Sequence, residues 1–160
     1  MGKIEAYLKD LISYAESAEP LNNMQFAMNQ LKSKLELRLF NSNVGAKDVN
    51  GKNAGGYSKG YKAKRAANKR QTIRKDFNLT DTLAKSFKLA VEEREGKYFL
   101  IIYIVGNRNR NVAEYLTAQT KKKKGTGVLF GASAKELDER NKVILKLFEN
   151  DLKEIGKQNE

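Results

Sequence analysis

Ile4, Tyr7, Leu8, Leu11, Ile12 and Ala15 recur at three- and four-residue spacing and predict an amphipathic helix at the start of the chain. Glu19-Pro20 interrupts it, because proline pushes the residue before it out of helical geometry. Met24, Met28, Leu31, Leu35 and Leu39 form one stripe of a second helix, so the chain opens with a helical pair. The methionines in that stripe read as core filler, since flexible thioethers take up irregular gaps.

From Asn41 to Phe77 the periodicity disappears, and NSNVG, NGKN and AGGYSKGY are turn and loop material. Residues 61–71 are rich enough in Ala, Lys and Arg for a short helix, but nothing apolar anchors it to a core. A loop of this length inside a domain is expected to be functional or disordered.

Order returns after Asn78, where Thr80 is placed to cap a short helix, DTLAKSF, with Leu83, Ala84 and Phe87 inward. KLAVEERE and KYFLIIYIV flank Glu95-Gly96 and predict a β-hairpin with a tight turn. The second strand is apolar on both faces, which places it centrally and covered on both sides. GNRNRN then breaks the chain, and Val112, Tyr115 and Leu116 mark a helix in NVAEYLTAQT. KKKKGTG reads as a solvated loop and VLFG as a short strand or ordered turn. Ser133 and Glu136 form a capping box that opens a last helix, with Leu137, Ile144, Phe148, Leu152 and Ile155 on one side and Gly156 at its end.

Helices and strands do not alternate as in a parallel βαβ fold. The expected class is α+β: an N-terminal helical pair, a long basic loop, a small, mainly antiparallel sheet built on the hairpin, and a C-terminal helix. At 160 residues this is one domain, 1–160, with 41–77 inserted as an extended basic arm.

Charge changes the picture. The net charge is +12, and residues 51–75 hold nine Lys or Arg and no acid, which points to an anionic partner, nucleic acid or an acidic protein surface. Cysteine and histidine are both absent, which removes disulfides, thiolate metal sites and the commonest general base. The longest apolar run, YFLIIYIV, is strand-length and far short of a membrane span, and the first residues lack a signal-peptide block. A cytoplasm-like compartment, or an assembly built there, is the expected location.

Candidate chemistry is thin. Asp81 with Glu95-Gly96-Lys97 has the outline of the carboxylates and lysine of a metal-dependent nuclease. However, Asp81 falls in a first helical turn, where acids are favoured anyway, and the other two flank an exposed hairpin tip. Ser58, Ser86 and Ser133 have no histidine to activate them, and the glycines match no phosphate-binding loop. No enzyme, cofactor or metal is therefore expected. A nucleic-acid-binding protein remains the alternative, with the arm's cations on phosphates and Tyr57 and Tyr61 stacked on bases.

Two stretches carry a resemblance. In GGYSKGYKAKRAANKRQTIRKDFNLTDTLAKSF (55–87), Y-S-x-x-Y-x-x-x-R leads to Q-T, then to L-T-D-x-L and the hairpin. In VAEYLTAQTKKKKGTGVLFGASAKELDERNKVIL (112–145), a helix and a basic loop lead to L-F-G-x-S-x-x-E-L and a closing helix. This layout, over about residues 50–155, resembles the tail-completion and head–tail joining (virion morphogenesis) proteins of tailed bacteriophages. One departure is Asp81, which stands where glycine is common in that family.

The resemblance implies a small α+β fold, no active site and a homo-oligomeric ring in the virion neck, assembled in the host cytoplasm. It implies portal or connector and tail proteins as neighbours, with packaged DNA as a further anion contacted without sequence readout. Ring interfaces are heterologous, and a basic arm would reach onto an acidic neighbour. On that reading Tyr57, Tyr61, Lys64, Arg65, Arg70 and Arg74 are the partner contacts, and the lysines at 121–124 are a weaker second patch.

Overall fold

The computed structural model describes residues 2–41, 43, 45–70, 72–73, 77, 82–124 and 129–158, the side chains of 119–124 excepted. Its elements are α1 (Lys3–Glu16), α2 (Glu19–Phe40), α3 (Lys59–Ala67), α4 (Thr82–Ser86), β1 (Phe87–Arg94), β2 (Lys97–Ile104), α5 (Asn107–Lys124) and α6 (Ala134–Gln158). The fold is α+β, with helices at both ends and an antiparallel β1–β2 hairpin between them.

Helix α2 carries the core. Pro20 sits in its first turn, where the missing N–H costs no helical bond, and Met28, Leu31, Leu35 and Leu39 form its buried stripe. Ala46, Ala54, Leu83, Phe87, Ala113 and Leu129 close around that stripe. Phe40 meets Phe87 edge-on at 6.2 Å and Phe130 at 6.5 Å between ring centroids.

Helix α6 runs antiparallel along α2. Asn23 bonds Asp151, Lys34 bonds Glu139 and Arg38 bonds Glu136, so one number falls as the other rises. The Ser133–Glu136 box forms as expected: the Ser133 amide donates to Glu136 at 2.7 Å and the Glu136 amide to Ser133 Oγ at 3.1 Å. Helix α6 continues through Gly156 to Gln158, two residues past the expected stop.

In the hairpin Arg94 pairs with Lys97 and Phe87 with Ile104. Glu95 and Gly96 both take positive φ, 53° and 69°, as a two-residue turn that matches strand twist requires. Phe87, Leu89 and Val91 face the core with Leu100, Ile102 and Ile104. Strand β2 is not central, contrary to expectation: among the described residues the sheet has two strands, and β2 pairs with β1 alone. Its second apolar face, Phe99 and Tyr103, lies open to solvent.

Three loop expectations also change. Asn107–Asn111 belong to α5, and the helix runs on to Lys124, so the four lysines extend a helix rather than a loop. Phe87 starts β1 instead of closing α4, while Thr80 and Asp81 lie outside the described residues. Ala46 to Ala54 form a small hairpin in which Asp48 Oδ1 accepts the amides of Asn50 and Lys52, and Gly51 takes φ 78°. Ala46, Asp48 and Ala54 are buried, so this part of 41–77 is built into the core.

Tyr14 fastens α1 to the rest. Its hydroxyl donates to Asp151 Oδ2 at 2.7 Å, the oxygen that also accepts from Asn23 at 2.6 Å. Burial first, and then the Asp151 bond and charge, push the Tyr14 pKa up to about 12. The folded state thus favours the neutral phenol, and that stabilisation is complete below pH 10 and lost as pH rises from 10 to about 12. Tyr14→Phe is expected to lower stability by about 1 kcal/mol at pH 8. The gap from wild type should close by about pH 12 in urea titrations.

Candidate interaction surface

Ser58 stands at the N-cap of α3, which presents Lys59, Lys62 and Lys64 outward. The turn after it is closed by Asn68 Nδ2 donating to Lys64 O at 2.8 Å and by the Arg70 amide donating to Arg65 O at 3.0 Å. Of the residues singled out in the sequence, Tyr57, Tyr61 and Arg65 come together. The tyrosine rings stand 5.1 Å apart, and the Arg65 guanidinium lies 4.5 Å above the Tyr57 ring.

That cluster points inward. Arg65 is fully buried, and Tyr57 Oη accepts from the amide of buried Phe77 at 3.3 Å. This corrects two expectations at once: α3 is anchored to the body of the protein, and Arg65 is one of its anchors, not a surface contact. Tyr57 is half-buried, so Tyr61 is the more accessible ring of the pair. Lys64 is exposed, Arg70 half-buried, and Arg74 lies outside the described residues.

The larger surface feature was not anticipated. Large apolar side chains are exposed on α1 (Ile4, Leu8, Ile12), on β2 (Phe99, Tyr103) and on α5 (Val112, Tyr115). Helix α1 has two apolar stripes, and it is Tyr7, Leu11 and Tyr14 that turn inward. Between the open edge of β2 and α5 runs a cleft of about 600 Å³, with Ile102 and Ile104 on one wall, Ala113 and Thr117 on the other, and Phe130 at its base. The Val105 amide donates across to Ser86 O at 2.8 Å, so by antiparallel alternation Leu100, Ile102 and Ile104 turn their backbone groups toward the open edge.

Among the described residues with candidate chemistry are Glu95, Lys97, Ser86 and Ser133. Glu95 and Lys97 are exposed at the hairpin tip, and no group of three or more acids is placed to hold a metal ion among the described residues. Ser86 Oγ donates to Leu83 O at 2.8 Å, and Ser133 is occupied as a cap. Lys34 bonds Glu139 at 2.5 Å and holds its carboxyl below the usual range, while Asp138 raises Lys142; both are surface ion pairs along α6. Among the described residues, no helix is long and apolar enough to cross a membrane. Comparison with protein-family models, with curated proteins and with solved structures returned no match.

Proposed function

We propose that this chain is a non-enzymatic structural protein of a phage neck or tail junction, working as a homo-oligomeric ring that joins neighbouring virion proteins. The observation that carries the oligomer is the set of large apolar side chains left open on α1, β2 and α5, the kind of surface an interface core requires.

The virion assignment rests on the layout of 50–155 described above. The exposed lysines of α3 then face an acidic neighbour, portal or tail protein, or the DNA passing through the ring. The same lysines also support a nucleic-acid-binding reading. That reading has lost one stacking ring, since Tyr57 is engaged by Tyr61 and Arg65.

Gold-labelled antibody against the chain should mark the neck of purified, high-salt-washed phage particles. Particles that lose the chain on washing, together with steeply salt-dependent binding of generic duplex DNA, would favour the alternative.

A further inference from the structure

Two of the uncovered apolar surfaces lie at opposite ends of the α2–α6 pair. Helix α1 is tied down where Tyr14 and Asn23 share Asp151. The β2–α5 cleft is floored by Phe130, which packs on Phe40 at the other end of α2. Asn23 and Phe40 are separated by about 26 Å of helix. Surfaces placed this way cannot cover one another within a chain, and between chains they meet head to tail.

We propose that α1 of one copy lays Ile4, Leu8 and Ile12 into the β2–α5 cleft of the next copy. This names the contact of the ring proposed above and rests on that reading. The three side chains recur every four residues and are 75%, 52% and 59% exposed. They span nine residues, a rise of about 12 Å, and the α5 wall from Arg110 to Ala118 spans the same number. Both surfaces are apolar at the centre, with Arg110 and Glu114 on the cleft side.

Charge is compatible with the contact. Helix α1 carries two lysines against three acids, Glu5, Asp10 and Glu16, and is the one net-acidic helix among those described. Helix α5 carries two arginines and four lysines against Glu114. Two copies of a chain with net charge +12 repel at long range, and this pairing sets the least basic helix of one against a cleft wall on which Arg110 and Glu114 balance. A nucleic acid would have no use for an apolar cleft of this kind. An α1–α1 contact would set like against like and close as a dimer.

The chain has no cysteine, so cross-links report only introduced thiols. The full chain with Leu8→Cys and Ala118→Cys together, mildly oxidised, should give a ladder beyond the dimer on a non-reducing gel. Each single variant should give none, and a one-to-one mixture of the two should stop at the dimer. In parallel, Leu8→Lys should raise the concentration at which the protein assembles at least tenfold while leaving the urea midpoint of the dilute monomer unchanged, because Leu8 is exposed there.

A dimer from Leu8→Cys alone would overturn the head-to-tail contact in favour of α1–α1 pairing. Native mass at a multiple of 18.1 kDa with no ladder would overturn the contact and leave the ring standing. A monomer under all conditions would remove both.

Discussion

Arg38→Ala is expected to cost about 3–5 kcal/mol, the range seen when one partner of a buried ion pair is deleted. Arg38 and Glu136 are only 12% and 13% exposed, and Arg38 Nε donates to Glu136 Oε1 at 2.9 Å. The same guanidinium reaches Lys47 O at 2.7 Å, Leu129 O at 3.3 Å and Gly131 O. One side chain therefore joins α2, the small hairpin at 46–54, the bend at 129–131 and the cap of α6. Removing it takes the partner from Glu136 Oε1 and a donor from three carbonyls at a part-buried junction. Arg38→Lys should recover little, because an ammonium on a flexible stem cannot serve acceptors set around a planar fork. Urea midpoints of the two variants give the measurement, and a loss under about 1 kcal/mol for alanine would contradict this role.

Phe87→Ala should be comparably severe, at about 3–5 kcal/mol. Phe87 is 1% exposed and sits where α4 passes into β1, with its ring edge-on to Phe40. Truncation removes apolar area from water-free contact and leaves a cavity that rigid neighbours on α2 and the hairpin cannot close. A double-mutant cycle with Phe40→Ala should return a coupling of about 1 kcal/mol, the part that belongs to the ring pair. Additive losses would mean that the two rings are independent.

What the sequence revealed followed from patterns that local chemistry alone can enforce. The Met28–Leu39 stripe, the Glu95-Gly96 turn and the Ser133–Glu136 box each depend on spacing within a few residues, and all three form. The misses are where distant residues decide. Two apolar stripes compete for the inside of α1, and the bond from Tyr14 to Asp151, 137 positions away, selects between them. The stretch from 41 to 77 looked unanchored because its buried residues before Phe77 are small or charged. Ala46, Asp48, Ala54 and Arg65 show no apolar period.

Arg65 is the sharpest case. Nothing in KGYKAKRAA separates it from its lysine neighbours except a Tyr57 placed eight residues earlier, which receives its guanidinium. Helix α3 is thus partly a structural element, with Lys59, Lys62 and Lys64 outward and Arg65 inward. Strand β2 shows the opposite pattern. Its two-faced apolarity called for cover on both sides, and within one chain one face stays open. Arg38 carried no signal beyond being a cation beside the stripe residue Leu39.

Self-association is the property on which both the ring and its contact depend. Native mass spectrometry or sedimentation of the full chain, at tens of micromolar and physiological salt, measures it directly. A single closed species at a fixed multiple of 18.1 kDa is the predicted result. A stable monomer across that concentration range would contradict it, leaving the exposed stripe of α1 and the β2–α5 cleft without an occupant.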